Sequence, residues 1–163
     1  MKTFIISDTH FNHKNIIEYT NRPFKSVEEM NERMTDLWNK TVKPEDFVIH
    51  LGDFALGYFP LHTLNGTKIL IKGNHDSNLT KKQFDYVFSS KVQLDRLILS
   101  HKPVLDLPRD FINYHGHIHE KTMQDFNYIN CSVEHTLYSP RPFANEVLST
   151  LLNSDVPRWR KNE

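Results

Sequence analysis

The chain has little cysteine and no excess of charge. Cys131 is the single cysteine among 163 residues, which excludes an intramolecular disulfide framework and any zinc site built from several thiolates. A reducing compartment fits such cysteine usage. Twenty basic and twenty acidic side chains give a formal net charge of zero. A neutral chain has no basic field that would hold a long nucleic-acid duplex by charge alone.

Long apolar runs are also missing. No run approaches the roughly 20 residues that a membrane span needs, and residues 4–6 are too short for a secretory signal, which needs about 7 to 15 apolar residues. We therefore expect a cytoplasmic protein with no membrane partner. Hydrophobic residues still make up 38% of the chain, enough for a core at the length of one domain. We expect a single domain over residues 1–163, with a frayed tail over 155–163.

Apolar runs and periodic patterns predict an α/β fold with more than one sheet layer. Short apolar runs typical of buried strands cover residues 4–6, 47–49, 68–71, 97–99 and 111–114. A capping-box start at Ser26 and apolar residues at three- and four-residue spacing predict an amphipathic helix that ends before Pro44. Weaker patterns predict a short helix over 80–83, an extended segment over 123–133 that could hold a hairpin, and a C-terminal helix that begins at Pro142.

Histidine is frequent, with ten residues, and polar donors follow each of the five predicted strands. Because strand ends at one rim of an α/β sheet face a shared crevice, we expect these donors to converge on a metal site. The candidate donors are Asp8, His10, Asp53, Asn74, His101, His117 and His119. Glycines at 52, 73 and 116 would let the backbone approach this site closely.

The donor chemistry indicates more than one metal ion. Carboxylate, imidazole and carboxamide donors without thiolate favour Mn, Fe or Zn. Seven donors are too many for one ion, but two ions that share a carboxylate can use them, and two-metal sites of this kind carry out phosphoryl displacement. Asp8 and His10, like His117 and His119, are two residues apart, a spacing that puts both side chains on one face of an extended chain.

Five motifs resemble, in order, those of the calcineurin-like metallophosphoesterase superfamily. They are Asp8-x-His10, Gly52-Asp53, Gly73-Asn74-His75-Asp76, His101 and Gly116-His117-x-His119. The chain most resembles the small single-domain bacterial and phage-type members. The resemblance implies an α/β fold, a four-layer α-β-β-α sandwich with two mixed sheets and a dimetal site at the strand ends.

The resemblance also implies a role for each motif residue. One metal ion would be held by Asp8, His10 and His119, the other by Asn74, His101 and His117, and both by Asp53. His75 and Asp76 would be the catalytic residues, with His75 beside the leaving group and Asp76 orienting His75 or anchoring the loop. The two divalent ions would be manganese, with iron, zinc and nickel as alternatives. The chain departs from the pattern at Ser132, where a glycine is common, which puts the local turn in doubt.

The expected activity is hydrolysis of a phosphate ester by a hydroxide that bridges the two ions, with His75 as proton donor to the leaving group. Only 24 residues separate Asp76 from His101, which leaves little room for a cap domain. An open site favours a phosphodiesterase for small diesters or nucleotides. The alternatives are a phosphomonoesterase and a catalytically silent metal-binding scaffold. A metallo-β-lactamase-like site, which needs His-x-His-x-Asp-His, is excluded, because Lys121 and Thr122 stand where its Asp-His would be.

Other polar residues are candidates for contact with substrate or for support of the ligands. His13 lies near the first motif and could touch substrate or start a surface helix. Arg22 and Arg141 are each followed by a proline, and a positioned guanidinium suits a phosphate oxygen, although a solvated loop arginine is the simpler interpretation. His50 and His115 adjoin motifs and could support ligands or serve packing. The sequence does not predict the oligomeric state.

Overall fold

The computed structural model describes residues 1–160, and of residues 79 and 81 only the backbone. Within that range the chain forms four α-helices and ten β-strands. The helices are α1 Ile16–Tyr19, α2 Val27–Thr41, α3 Asn78–Lys81 and α4 Asn145–Asn153. The strands are β1 Thr3–Ile6, β2 Phe47–His50, β3 Thr67–Ile71, β4 Tyr86–Phe88, β5 Val92–Leu94, β6 Leu97–Leu99, β7 Ile112–His115, β8 Tyr128–Asn130, β9 Arg141–Phe143 and β10 Arg158–Arg160.

The strands form two mixed sheets, which confirms the expected α/β fold class. The first sheet has six strands in the order β10-β4-β3-β2-β1-β9, of which the inner four are parallel. The second has four strands in the order β5-β6-β7-β8, and only β5 is antiparallel to its neighbour. The carboxyl ends of the parallel strands therefore point to one edge in each sheet.

The two sheets meet at that edge. Ser7, directly after β1, forms a parallel bridge with Ser132, two residues after β8. The Ser7 amide donates to the Cys131 carbonyl at 2.8 Å, and the Val133 amide donates to the Ser7 carbonyl at 3.1 Å. The polar segments that follow the strands of both sheets are thereby brought into one place.

Helix α2 covers the outer face of the first sheet. Its N-cap is Ser26, whose side chain accepts from the Glu29 amide, as the capping box predicts. Met30, Met34 and Trp38 lie on one stripe of the helix and are buried with apolar side chains of β1, β2 and β3. This stripe carries the apolar period seen in the sequence.

A second core lies between the sheets. Side chains from β1, β2 and β3 pack there with those of β5 and β6. Leu148 and Leu151 of α4 join this cluster, since α4 packs against β5. On the outer face of the second sheet lies the segment after β6, where the Val104 amide donates to Asn113 Oδ1 and Tyr128 Oη donates to the Val104 carbonyl.

Several boundaries differ from the sequence prediction. The C-terminal helix begins at Asn145, because residues 141–143 form β9. This strand is the outermost of its sheet, where Pro142 is tolerated without an N–H. The expected hairpin over 123–133 is wrong, since β8 runs parallel to β7. The hairpin of the second sheet is formed by β5 and β6, which turn at Asp95 with a φ of 53°.

The prediction of a frayed tail is wrong for residues 158–160. They form β10, which pairs antiparallel with β4, and the Arg160 guanidinium lies 5.7 Å from the centre of the Tyr86 ring. Residues 161–163 lie outside the described part of the chain. None of the helices within residues 1–160 has the length and apolar character needed to cross a membrane.

Candidate metal centre

The seven candidate donors lie in loops at the shared edge of the two sheets. The loop after β1 carries Asp8 and His10 and runs beside the loop after β2. The Asp8 amide donates to the Gly52 carbonyl and the His10 amide donates to the Asp53 carbonyl, each at 3.0 Å. These main-chain bonds fix the two loops in register and so fix the carboxylates that they carry.

The donors form two groups. In the first group, donor atoms of Asp8, His10 and His119 lie within 4.8 Å of one another. In the second group the same holds for Asp53, His101 and His117. Asn74 belongs beside the second group, because its Oδ1 lies 3.0 Å from His101 Nε2. The sequence prediction divided the same residues in this way, although their roles as ligands remain predictions.

The Asp53 carboxylate lies between the groups. Its Oδ2 is 3.6 Å from His10 Nε2 on one side and 3.3 Å from His101 Nε2 on the other. Its Oδ1 accepts a hydrogen bond from the His75 amide at 2.8 Å. One carboxylate oxygen thus faces imidazoles of both groups, the position that a shared ligand would need.

The donor atoms suit a pair of divalent cations. Asp8 Oδ1 and His10 Nε2 are buried and have no hydrogen-bond partner among residues 1–160, although buried polar atoms normally have one. His101 Nδ1 lies 2.9 Å from the Leu51 carbonyl oxygen. A carbonyl can only accept, so Nδ1 carries a proton, and Nε2 is the ring nitrogen that faces Asp53 and the site.

Five of the seven donors adopt a backbone conformation that is unusual for their residue type. Asp8, His10, Asp53, His117 and His119 have φ between 49° and 70°. Left-handed backbone is uncommon outside glycine and is concentrated at functional sites. The sequence predicted that the two residues of each pair, Asp8 with His10 and His117 with His119, lie on one face of an extended chain. That prediction is wrong, because all four residues are left-handed. His117 and His119 in fact point into different groups.

Close backbone approach at the predicted glycines is confirmed. A Cβ on Gly52 would lie 2.5 Å from the Gly73 amide nitrogen and 2.9 Å from His101 Nδ1. A Cβ on Gly116 would collide with the Asp8 carboxylate and the Ser7 hydroxyl. Only a residue without a side chain leaves room for the donors at these places.

A buried ion pair between Arg22 and Glu134 lies next to the first donor group. Glu134 Oε1 lies 3.3 Å from His119 Nδ1 and 2.9 Å from an Arg22 nitrogen. The Arg22 guanidinium also donates to the main-chain carbonyls of Asp8 and Thr9, each at 2.8 Å. The expectation that Arg22 contacts substrate is therefore corrected. Its side chain is fully buried, and so it is not a solvated loop arginine either.

None of the five motifs contains Glu134, so the sequence predicted no role for it. Glu134 directly follows the extended segment predicted over 123–133, and a polar residue at the end of an extended segment is the signal that marked the other donors. Ser132, at the position where a glycine is common, has ordinary extended dihedrals. Its hydroxyl donates to Asp8 Oδ2 at 3.1 Å. The doubt about this turn is removed, because the serine adds a hydrogen bond to the site.

His75 and Asp76 have different surroundings. The His75 ring is half exposed, and its Nε2 lies 3.9 Å from Asp53 Oδ2. Asp76 is buried and accepts from three main-chain amides, those of Asp53, Gly73 and Phe54, at 2.8 to 2.9 Å. Of the two roles expected for Asp76, this geometry supports loop anchoring. A part for Asp76 in catalysis itself stays a prediction.

The remaining candidates divide between cleft and core. His13 lines the cleft beside His10, and its Nδ1 also accepts the Ile16 amide at the start of α1, so its place at a helix start is confirmed and its contact with substrate stays a prediction. Arg141 lies half-buried in β9 and lines neither cleft at the site. His50 is fully buried and bonds Thr9 Oγ1 and the Gly52 amide. His115 is buried with its Nδ1 3.0 Å from the Gly116 carbonyl.

Burial and neighbouring charge set the electrostatics of the centre. Burial lowers the pKa of His10 to about 3, which favours the neutral, ligand-competent imidazole. Burial opposes ionisation of Asp53, but the hydrogen bond and charge of His101 hold the pKa of that carboxyl well below its usual range. Burial, then the charges of His101 and Lys102, lower the pKa of His117.

Two clefts open onto the centre. One, of about 440 Å³, is lined by His10, His75 and His119 together with Tyr19 and Lys121. The other, of about 610 Å³, is lined by Asn74 and His101 and by residues of the segments that follow β3 and β6. A substrate at the donors can therefore extend in either direction.

Comparison with known proteins identifies the family. The model of the calcineurin-like phosphoesterases matches residues 1–159. The chain belongs to this family. A metal-dependent phosphoester hydrolase is the function that the family implies, and the two donor groups fit it.

The chain is also similar to proteins without a described activity. It is 36% identical over 143 residues to an uncharacterized protein of Methanocaldococcus jannaschii, a match that covers 79% of this chain and 76% of that protein. It superposes on the crystal structure of a protein of unknown function from Aquifex aeolicus with a TM-score of 0.68 and 28% identity, over 92% of this chain and 98% of that one.

Proposed function

We propose that this phosphoesterase is a single catalytic domain that hydrolyses phosphodiesters with two divalent ions. Asp8, His10 and His119 would hold one ion, Asn74, His101 and His117 the other, and Asp53 both. The observation that carries the proposal is the position of Asp53 Oδ2, 3.6 Å from His10 Nε2 and 3.3 Å from His101 Nε2. Manganese is the first candidate metal for this nitrogen and oxygen donor set, and iron, zinc and nickel are alternatives.

Two such ions, when bound, would lower the pKa of a coordinated water and neutralise charge on the phosphate oxygens. The protein's own contribution is to hold the donors in place before substrate arrives. Main-chain bonds between the loops after β1 and β2, and the three amides that Asp76 accepts, fix the carboxylates. A preorganised site of this kind spends little energy on rearrangement during the reaction.

His75 is the residue placed to move a proton. Its ring is half exposed at the cleft while its main-chain amide is held by Asp53 Oδ1. A protonated His75 would donate from Nε2 to the leaving oxygen, a contribution of roughly 10²- to 10⁴-fold for a general acid. The nearby His13 and Tyr19 would contact the leaving group from the same cleft.

Preference for diesters is supported by the absence of a cap among the described residues. The chain between Asp76 and His101 is used for α3, β4, β5 and β6, and the segment after β6 lies on the second sheet. The clefts stay open on both sides of the donors, so a phosphate with two ester groups fits. The single cysteine, Cys131, leaves no intramolecular disulfide, and this cysteine usage supports a cytoplasmic location as part of the proposal.

The proposal is tested by comparing bis(p-nitrophenyl) phosphate with p-nitrophenyl phosphate. Protein treated with chelator and then supplied with Mn²⁺ should hydrolyse the diester faster. His75→Ala should keep its metal content and lose most turnover of alkyl diesters, whose leaving groups need a proton, while p-nitrophenyl esters suffer less. Absence of metal-dependent turnover of either ester would leave the silent-scaffold alternative, and faster hydrolysis of the monoester would favour a phosphatase.

A further inference from the structure

The larger cleft beside the donors carries three lysines. Lys72, Lys91 and Lys102 line it, and no aspartate or glutamate of the described chain does. None of the three lies within 4.0 Å of a described carboxylate, whereas Arg22 and Arg96 elsewhere in the molecule are paired. In a chain of zero net charge, this is a local concentration of positive charge, and a concave wall of one sign focuses attraction on an anion.

Hydrogen bonds fix the backbone of two of these lysines, Lys72 and Lys102. The Lys72 amide donates to the Phe88 carbonyl at 2.9 Å. The Lys102 carbonyl accepts from Ser100 Oγ at 2.7 Å, and that hydroxyl is itself held by Asn113 Nδ2 at 2.9 Å. The lysines are therefore carried into the cleft by ordered chain.

The cleft is continuous with the proposed metal centre. Asn74 and His101, both candidate ligands of the second ion, line the same cavity as the lysines. A substrate phosphate at the centre would therefore have its next anionic group beside Lys72 and Lys102. His75 lines the other cleft, so a leaving group that it protonates would lie in that cleft and the retained part of the substrate in the lysine cleft.

We propose that the lysine cleft, formed by Lys72, Lys91 and Lys102, binds a second phosphate group on the retained part of the substrate. The substrate class is then a nucleotide-type phosphodiester that carries a further phosphate beyond the one attacked. The inference rests on the proposed function, because it places the attacked phosphate at the candidate metal centre. Ammonium groups of lysine bind phosphate as point charges, so the cleft selects charge without selecting a base.

The test uses two substrates that differ by one phosphate. Thymidine 5′-(p-nitrophenyl phosphate) and its 3′-phosphorylated form share the leaving group and the attacked phosphate. With Mn²⁺ and low salt, kcat/KM should be about tenfold higher for the 3′-phosphorylated form, as expected for a few partly exposed charge contacts. The ratio should fall towards one in the triple variant Lys72→Gln, Lys91→Gln, Lys102→Gln, and also in wild type at high salt. Lys40→Gln, on exposed helix α2 surface, should keep the wild-type ratio.

A binding measurement decides the question without turnover. Calorimetric titration of the Mn²⁺-loaded protein should give about tenfold tighter binding of thymidine 3′,5′-bisphosphate than of thymidine 5′-monophosphate, and the triple variant should lose this difference. Equal binding of the two by wild type, or an unchanged difference in the variant, would overturn the lysine cleft even if diesters are hydrolysed. If no ester is hydrolysed, the proposed function fails, and the binding ratio still supports or rejects the cleft.

Discussion

Two of the histidines that are proposed to bind metal, His101 and His119, each depend on a second residue that fixes the ring. Leu51 does so for His101 through its carbonyl, and Glu134 does so for His119 through its carboxylate. A carboxylate accepts the Nδ1 proton, so His119 presents Nε2 to the first group. Burial raises the pKa of Glu134, but His119 and Arg22 together lower it to about 2, so the acceptor stays ionised.

Glu134→Gln is expected to weaken binding of the first metal ion. The amide keeps the shape of the side chain but removes the charge that holds the His119 tautomer. Loss of such a partner costs about 10- to 100-fold in metal affinity. Titration of chelator-treated protein with Mn²⁺ should show one weakened site and one unchanged site.

The matched control is Glu45→Gln, an exposed glutamate away from the site, which should bind Mn²⁺ as wild type does. Glu134→Asp should recover part of the lost affinity. Equal affinity of both sites in Glu134→Gln and wild type would show that Glu134 does not position His119.

The metal donors could be predicted from the sequence, but the residues that hold them in position could not. The seven donors could be recognised because each follows an apolar run and belongs to a motif. Arg22 and Glu134 are 112 residues apart. No local sequence pattern therefore indicates that their side chains form an ion pair next to Asp8. A proline-fixed loop arginine is compatible with a phosphate contact and with a buried pair, and only the fold decides between them.

Among the elements, the loops after β2 and β3 are joined by one carboxylate. Asp76 lies in the second loop and accepts amides from both, at Asp53, Phe54 and Gly73. A carboxylate can accept several N–H donors at once, and within residues 1–160 these three amides have no main-chain acceptor. The position of Asp53 between the two donor groups depends on this connection.

Asp76→Ala should therefore destabilise the fold and disturb the centre together. Three buried amides lose their acceptor, and an unsatisfied buried group costs about 1–3 kcal/mol, so we expect the free energy of unfolding to fall by about 3 kcal/mol or more. Urea denaturation measures the loss, and Mn²⁺ titration should show weaker binding at both sites.

Asp85→Ala provides the comparison, since Asp85 accepts one half-buried amide, that of Lys68. It should cost less stability and leave metal binding intact. Similar effects of the two substitutions on Mn²⁺ binding would contradict the anchoring role of Asp76.

Helix α2 could be predicted from the sequence because it buries one face. The edge strands β9 and β10 could not, because their conformation depends on the strands with which they pair. The period of Met30, Met34 and Trp38 predicted α2 because a single buried stripe sets that spacing. Strand β9 was predicted as helix because Pro142 fits a first helical turn equally well, and only its pairing with β1 distinguishes the two. Strand β10 has three residues and depends on β4 for its conformation.

For the whole molecule, burial of polar side chains near the sheet junction links stability to pH. His50 is fully buried between Phe54 and Phe84, and burial lowers its pKa to about 3 from an ordinary value of 6.5. Between these values the unfolded chain takes up a proton that the folded chain does not. Stability contributed by neutral His50 is therefore present above about pH 6.5 and is lost progressively as the pH falls towards 3.

We expect the free energy of unfolding to decrease more steeply in wild type than in His50→Gln as the pH is lowered from 7 to 4.5. The glutamine keeps polar atoms near Thr9 and the Gly52 amide but does not titrate. The difference in slope can reach at most about 1.4 kcal/mol per pH unit for one group. Urea denaturation at several pH values measures it, and His62→Gln, an exposed histidine, should match wild type. Parallel slopes for wild type and His50→Gln would contradict this contribution.

The arrangement of the two sheets is what turns five separate motifs into one site, since the bridge between Ser7 and Ser132 joins the carboxyl ends of both sheets. The most direct measurement is anomalous scattering from crystals grown with Mn²⁺. The account predicts two manganese peaks, one on each side of Asp53, about 3.5–4 Å apart, with both weakened in Asp53→Asn. A single peak, no peak, or two peaks that persist unchanged in Asp53→Asn would contradict the shared-carboxylate centre.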